Sequence, residues 1–428
     1  MESTQKINIP AHWRRRYFTI LSGQAVSLVT SGILQMVLIF YLTEKTGSAL
    51  VLSLATFFGF LPQALLGPFI GVWVDRWNRK LVMIGSDLFI ALSGVALALL
   101  ALQMEPPIWV VLGILFVRSV GGAFYQPAMS AATPLLVPED QLTKCAGYSS
   151  SIQSISFLVS PALGAVVYSR WHLSAIVGLD VVGAIIASAF VAFVAIPRPP
   201  KAQNAAQPNF FRELKDGYIA IREDKGLFTL VLIATLYMLV FMPINALFPL
   251  MSMGYFGGTT THAAIAETAF SAGMLVGGLV LGVWGGFKRR TRTLGFSVLL
   301  MGLGIAASGI LPKSGFVGFA VFCVVMGFAA PFHGVQTALF QERIAPECLG
   351  RVFSLSMSMM SVAMPVGLML SGAFAEVIGV HNWFLISGVL VMAISVLMMS
   401  LSSIRSLDEK PVEEAALAEA APAAEPAE

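Results

Sequence analysis

Three ionisable residues, Arg118, Asp180 and Glu267, sit inside long stretches of otherwise apolar sequence. A charge placed in hydrocarbon is expensive and marks either a structural ion pair or a site that handles protons or ions. Arg118 and Asp180 fall at comparable depths of two apolar runs, so they can meet. They then act as a fixed pair joining two helices, or as a protonatable acid whose charge an arginine senses. Glu267 reads either as a chain reaching for the membrane surface or as a second acid for proton transfer. His333 has the one side chain that ordinarily titrates near neutrality. Asp87 lies close to a basic loop and is expected to pair with it; Glu376 is expected in a loop. Covalent chemistry finds little support. Cys145, Cys323 and Cys348 form no CxxC pair, no HExxH run occurs, and no Walker Gly-x-x-x-x-Gly-Lys-Ser/Thr is present. Neither an enzyme, a metal site nor ATP drive is expected.

These residues are carried by a chain of 428 residues that is 57% hydrophobic and only 11% charged. Apolar runs near the roughly 20 residues needed to cross a bilayer recur throughout. In lipid every backbone polar group must be satisfied within its own segment, so the runs are helices. Twelve spans are predicted, at about 17–42, 50–74, 81–103, 108–130, 146–169, 173–195, 227–250, 262–285, 293–311, 315–339, 352–375 and 382–404. Of the 26 Lys and Arg, 22 then fall on the side of the two termini, three on the opposite side, and Arg118 within a span. The positive-inside rule makes both termini cytoplasmic. The expected setting is therefore a membrane, with the lipid bilayer as solvent and no nucleic-acid partner.

Four regions follow: spans in 1–196, a connection at 197–226, spans in 227–405 and a tail at 406–428. The connection begins Pro-rich and continues with Phe210, Phe211, Leu214, Tyr218 and Ile221 on one face, an amphipathic helix for the membrane surface. From Asp408 onward seven acids accompany one lysine in Ala/Glu/Pro sequence, the composition of a disordered tail.

The two sets of spans repeat one another. "GVWVDRWNRK" (71–80) ends span 2 and "GVWGGFKRR" (282–290) ends span 8. Pro161 of span 5 has its counterpart in Pro365 of span 11. A six-plus-six parallel repeat is the layout of a carrier whose halves rock about a midplane site. Span 1 has no acid but carries Gln24, Ser27, Ser31 and Gln35 at steps of three and four, a polar stripe that must face a cavity or another helix. Pro243 and Pro249 flank Asn245 in span 7 and predict a kink there.

"GVWVDRWNRK" matches the Gly-x-x-x-Asp-Arg-x-x-Arg-Lys loop of the major facilitator superfamily. "SGQAVSLVTSGILQM" (22–36), "FYLTEKTGSA" (40–49), "TPLLVPEDQLTKCAGYS" (133–149), "MPINALFPL" (242–250), "GVQTALFQE" (334–342) and "LGRVFSL" (349–355) extend the likeness. Over about 12–405 the chain resembles the macrolide-efflux (Mef-type) branch of that superfamily's drug:proton antiporters. The resemblance implies an all-α polytopic membrane protein with twelve transmembrane helices in two pseudo-symmetric six-helix bundles. It implies a cytoplasmic gate at Gly71, Asp75, Arg76, Arg79 and Lys80; a topogenic basic loop is the plainer reading, but the acid adds little to topology. It implies a substrate cavity lined by spans 1, 4, 7 and 10, where Gln24, Ser31, Gln35, Arg118, Tyr125, Tyr237, Phe241, Asn245 and His333 lie. One departure stands out: the Gly-Pro-x-x-Gly-Gly element expected of span 5 antiporters reads "SPALGA" (160–165) here. Proton coupling thus falls to Asp180, Glu267 and Arg118.

The expected activity is proton-driven export of bulky amphipathic, hydrophobic or cationic antibiotics, macrolides foremost, by a monomer that needs no cofactor beyond the proton gradient. Export of a native metabolite or siderophore is the alternative. A channel is disfavoured by the two-fold repeat and the lack of a filter loop or charged ring.

Overall fold

A computed structural model of the chain describes residues 12–138, 141–196, 218–219, 221–222, 224–330, 334–344 and 346–408. Six helices build the N-terminal half: α1 (Trp13–Thr46), α2 (Ala49–Arg76), α3 (Arg79–Gln103), α4 (Ile108–Leu136), α5 (Leu142–Tyr168) and α6 (Leu173–Phe193). In the other half are α7 (Lys225–Leu250), continued by a π-helical turn at Met251–Tyr255, α8 (Thr260–Trp284), α9 (Arg290–Ile310), α10 (Phe316–Ala329), α11 (Gly334–Arg343), α12 (Pro346–Ile378), α13 (Val380–Ser400) and the short α14 (Ser402–Arg405). Among the described residues eleven helices are long and apolar enough to cross a bilayer, and α10 is a shorter apolar helix. Span 10 of the sequence corresponds to α10 and α11, with residues 331–333 between them. The surface helix expected within 197–226 lies outside the described residues except at its end, where Ile221 is buried and the Arg222 guanidinium sits 6.0 Å from the Tyr218 ring centre. The tail beyond Asp408 lies outside them as well.

Packing partners repeat after six spans. In the first half α1 packs on α5 and α6, α2 on α4, and α3 on α4 and α6; in the second α7 packs on α12 and α13, α8 on α10, and α9 on α10 and α13. The halves meet through α2 against α12 and α5 against α8, which are themselves equivalent pairs. The weak sequence repeat is thus a repeat of contacts, and this is the two-bundle architecture.

Lipid offers no hydrophobic reward for bringing helices together, so close approach depends on small residues. On α8, Gly273 and Gly277 form a Gly-x-x-x-Gly pair. A Cβ on either would collide with the α10 backbone, at Val324 O and Phe328 O, and a Cβ on Gly327 of α10 would collide with Phe270 O.

Both halves tie down their chain ends at the side where the termini lie. Lys80 Nζ donates to Ala192 O (2.6 Å) and Arg16 to Ala195 O (3.3 Å), satisfying carbonyls at the end of α6. In the second half Arg343 donates to Ser406 O and Leu407 O, while Asp408 accepts from Thr291 N (3.1 Å) and Thr291 Oγ1. Asp408 thereby caps α9, whose own N-cap Arg289 makes no side-chain cap bond. Asp408→Ala is expected to cost about 1 kcal/mol, read as a lower midpoint of thermal unfolding in detergent; an unchanged midpoint would show that the cap carries no weight.

At the opposite end the halves touch. Ser53 and Ser371 share a hydrogen bond of 2.8 Å, Ser48 Oγ donates to Glu376 (3.2 Å), and Phe40 and Ala165 pack with Ala263 and Ala264. Glu376 is therefore helical, inside α12, and not in a loop: the apolar helix continues to Ile378, and Glu376 near its end accepts from Ser48 Oγ.

Candidate functional site: a polar cavity within the N-terminal bundle

Helix α1 turns its polar stripe toward α3, α4 and α6. A cavity of about 360 Å³ opens there, lined by Gln24, Ser27, Ser31 and Gln35 of α1, Asp87 and Ile90 of α3, and Arg118, Ser119, Tyr125 and Gln126 of α4 among others. Close approach of α1 to its neighbours comes from Gly32 against Ser160 of α5 and Gly183 of α6 against Thr30.

At its edge is a buried ion pair. Arg118 Nη1 bonds Asp180 Oδ2, Arg118 Nη2 reaches Oδ1 at 3.4 Å, and Ser31 Oγ donates to the same Oδ1 at 2.7 Å. Both charged residues are buried. The carboxylate is therefore met by a two-nitrogen fork and a hydroxyl, the geometry in which guanidinium suits carboxylate better than an ammonium would. The pairing foreseen from the depths of the two residues is made, and it ties α4 to α6 with α1 as third partner.

Asp87, expected to answer the basic loop before it, does not do so. It is buried, lines the cavity, and accepts from Ser188 Oγ of α6 at 3.5 Å. The physical reason is the rise along the helix: seven residues put Lys80 and Asp87 on one face of α3 but about two turns apart. Asp87 faces α6 and α4, while Lys80 at the start of the same helix is drawn to the α6 carbonyl end.

Glu267 does not reach for the membrane surface. It is buried on α8, with Ser271 one turn on, and Ala263 one turn earlier belongs to the contact between the halves. Tyr237 and Phe241 stack on each other within α7 at 5.3 Å, and Asn245 of the same helix is exposed. None of these three lines the N-terminal cavity. The helix runs through Pro243 and Pro249 and ends in the π turn. His333 lies outside the described residues.

In the loop motif, Gly71, Asp75 and Arg76 belong to the last turns of α2, and their side chains lie outside what is described. Trp77 stacks on Phe124 of α4 (6.3 Å, 5° between planes), and Asn78 Oδ1 accepts from Lys80 N to start α3. A tight two-residue connection between α2 and α3 results, held by a cap and a ring stack.

Sequence reasoning missed Asp87, Ser119 and Gln126 as cavity residues. The signal was present for two of them: Ser119 adjoins Arg118, and Gln126 adjoins Tyr125. For Asp87 the clue was on another helix, where Asp180, Gly183, Ala184, Ala187 and Ser188 form a small-residue buried face on α6 opposite it.

Comparison with known proteins agrees with this architecture. The sequence matches the Major Facilitator Superfamily over residues 20–266 and 230–425. It is 56% identical over 400 residues to Macrolide efflux protein A of Streptococcus pyogenes, covering 93% of this chain and 99% of that protein. It is 25% identical over 382 residues to the multidrug efflux pump Tap of Mycolicibacterium fortuitum, covering 85% and 90% of the two chains. Among solved structures, the nucleoside transporter NupG superposes with a TM-score of 0.69 at 13% identity, covering 90% of this chain and 98% of that one, a likeness of fold alone. Repeated six-span packing, a cavity lined by polar side chains and this match over nearly the whole chain lead to one conclusion: the protein is a multi-pass membrane member of the Major Facilitator Superfamily.

Proposed function

We propose that this chain exports macrolides and similar bulky amphipathic antibiotics across the bacterial cytoplasmic membrane, driven by protons moving inward. The observation that carries the reading is the 56% identity to Macrolide efflux protein A across 93% of the chain. Support for the cargo class comes from a cavity that mixes amides, hydroxyls and a tyrosine with apolar Leu28, Ile90 and Leu115.

Orientation follows from charge. With basic residues concentrated at the termini side, both termini face the cytoplasm, and the contacts of Ser53 with Ser371 and of Ala165 with Ala263 close the outer side. The cavity is then offered to the cytoplasm or inner leaflet. Alternating access requires the outer contact to open while the inner side closes.

Coupling is assigned to the Ser31–Asp180–Arg118 cluster. A proton on Asp180 turns an acceptor-only carboxylate into a group that can donate, and strips Arg118 of its counter-charge. A buried cation without a partner is unfavourable, so protonation biases the bundle toward the state in which Arg118 regains water or a carboxylate. Glu267 is the second acid in this scheme. Because it lies one turn from the α5–α8 contact, its charge bears on whether the outer side can stay shut. Glu267→Gln is expected to leave drug binding within about twofold and to slow proton-driven efflux about tenfold; efflux at the wild-type rate would remove it from the coupling path. No covalent step is involved, and the chain acts as a monomer.

Everted vesicles from an expressing strain test the whole reading. Radiolabelled macrolide should accumulate when a proton gradient is imposed and stop accumulating when a protonophore collapses it. Accumulation that survives the protonophore would refute proton drive, and no accumulation under any gradient would refute the cargo.

A further inference from the structure

The connection between α8 and α9 answers the α2–α3 connection in the repeat but is built differently. Aligned on Gly71 and Gly282, the first has Asp75 where the second has Gly286, and the second runs on through Lys288, Arg289, Arg290 and Arg292 without an acid. The first is tied down: Trp77 stacks on Phe124, and Lys80 donates to Ala192 O. In the second, Lys288, Arg289 and Arg292 are exposed and have no hydrogen-bond or ion-pair partner among the described residues. Asp408 comes near, but its carboxylate is taken up by the amide and hydroxyl of Thr291. Three cations are left without a counter-charge.

Three aromatic rings lie beside them at the surface. Gly285 and Gly286, at φ of 73° and 84°, make a turn that glycine adopts without strain. Phe287 N then donates to Thr293 Oγ1 at 2.8 Å. This sets the Phe287 ring edge-on to Trp284 (4.7 Å) on one side and to Phe296 (6.0 Å) on the other. All three residues are 40–46% exposed. Arg289, Arg292 and Phe296 follow at steps of three and four, on one face of α9. Along α8 the exposed face continues away from the turn through Val283, 92% exposed, Leu279 and Val276. Rings at a water–lipid boundary are by themselves ordinary anchors. Rings fixed between unpaired cations and an apolar strip match something more: an anionic head with an acyl chain attached.

We propose that the α8–α9 corner binds an anionic phospholipid of the leaflet on the side of the termini. Its phosphate lies against Arg289 and Arg292 with Lys288 beside them, and its acyl chain runs along Val283 and Leu279. Phosphatidylcholine, whose own cation offsets its phosphate, is the poorer partner. The site is independent of the cargo and of the proton, and it places a lipid at the hinge of two helices in the C-terminal half.

The test uses the purified full-length chain in nanodiscs, with phospholipids whose brominated acyl chains quench tryptophan on contact. The signal of Trp284 is the difference between wild type and Trp284→Phe. Brominated phosphatidylglycerol, diluted into phosphatidylcholine, should quench it with a preference of about 10- to 100-fold over brominated phosphatidylcholine, at about fivefold per cation. Arg289→Gln with Arg292→Gln, both at exposed positions, should lower that preference about tenfold or more. Arg14→Gln with Arg15→Gln removes two exposed cations elsewhere on the same side and should change it less than about twofold. Equal losses in the two double variants would show a diffuse surface attraction and overturn the site. A preference untouched by the loop variant overturns it, as does wild-type protein without a preference. A preference that emerges only when residues 409–428 are deleted would assign the loop to the chain's own acidic tail, and so also overturns it. Because no readout involves cargo or a gradient, failure here leaves the export reading standing.

Discussion

Asp180→Asn is expected to abolish proton-driven macrolide efflux and to destabilise the N-terminal bundle at the same time. Arg118 loses the carboxylate that it grips with two nitrogens, in a setting where both residues are buried. Removing one partner of a buried pair costs about 3–5 kcal/mol. The lower end applies here, because Asp87 lines the same cavity and offsets part of the lost charge. Stability and function separate in the double variant Arg118→Gln, Asp180→Asn. It replaces a buried ion pair by neutral groups of similar size, a change that is often close to neutral for stability. Its thermal midpoint should therefore recover toward wild type while efflux stays at background. Two measurements decide the matter: unfolding monitored by size-exclusion after heating, and macrolide accumulation in everted vesicles. Efflux in the double variant at more than a few per cent of wild type would remove the pair from the coupling path and leave it a structural tie.

Gly327→Leu carries the largest expected effect on folding. The Cβ alone would strike Phe270 O and the backbone around it on α8, and backbone cannot rotate aside as a side chain can. Gly273 and Gly277 on α8 meet α10 in the same way, so the two helices touch along three glycines. Overpacking ordinarily costs about 1–3 kcal/mol and occasionally more. Here the helices must separate along their seam, which places the loss above that range and near the whole stability of a marginal bundle. Gly282→Leu is the matched comparison: it sits on the same α8 with nothing within 4 Å of the added Cβ. Folded yield should collapse for Gly327→Leu and stay near wild type for Gly282→Leu. Equal yields would mean that the α8–α10 contact relaxes freely.

The number and order of spans could be read from the chain because hydrocarbon enforces them. A run of apolar residues long enough to cross is a helix by backbone necessity, whatever packs beside it. Arg118 and Asp180 could be paired for a similar reason: two buried opposite charges at one depth have few other places to go. Rotation of each helix about its own axis was a different matter. In a water-soluble protein the polar face marks the outside, but a helix apolar all round gives no such mark. Asp87 and Lys80 lie only seven residues apart, close enough in sequence to suggest a pair. The structure turns their shared face onto α6, where Asp87 meets Ser188 and Lys80 meets the Ala192 carbonyl about two turns away. Glu267 illustrates the same gap, since depth alone could not tell a buried acid from one that reaches for the surface. Asn245 and the Tyr237–Phe241 stack belong to the second half, and no pattern on one helix says whether residues on another will share its cavity.

The seam that closes the end remote from the termini has a thermodynamic consequence. Its polar contacts are a serine–serine hydrogen bond and one serine–carboxylate bond, set in apolar packing of α2 on α12 and of Phe40 and Ala165 with Ala263 and Ala264, with no ion pair between the halves among its described contacts. Parting two hydroxyls trades one hydrogen bond for others with water, a net change of only about 1 kcal/mol. The polar part of the seam therefore opposes parting only weakly, and each step of about 1.4 kcal/mol in the equilibrium shifts the population tenfold. Apolar packing, and not charge, is what resists parting at this end.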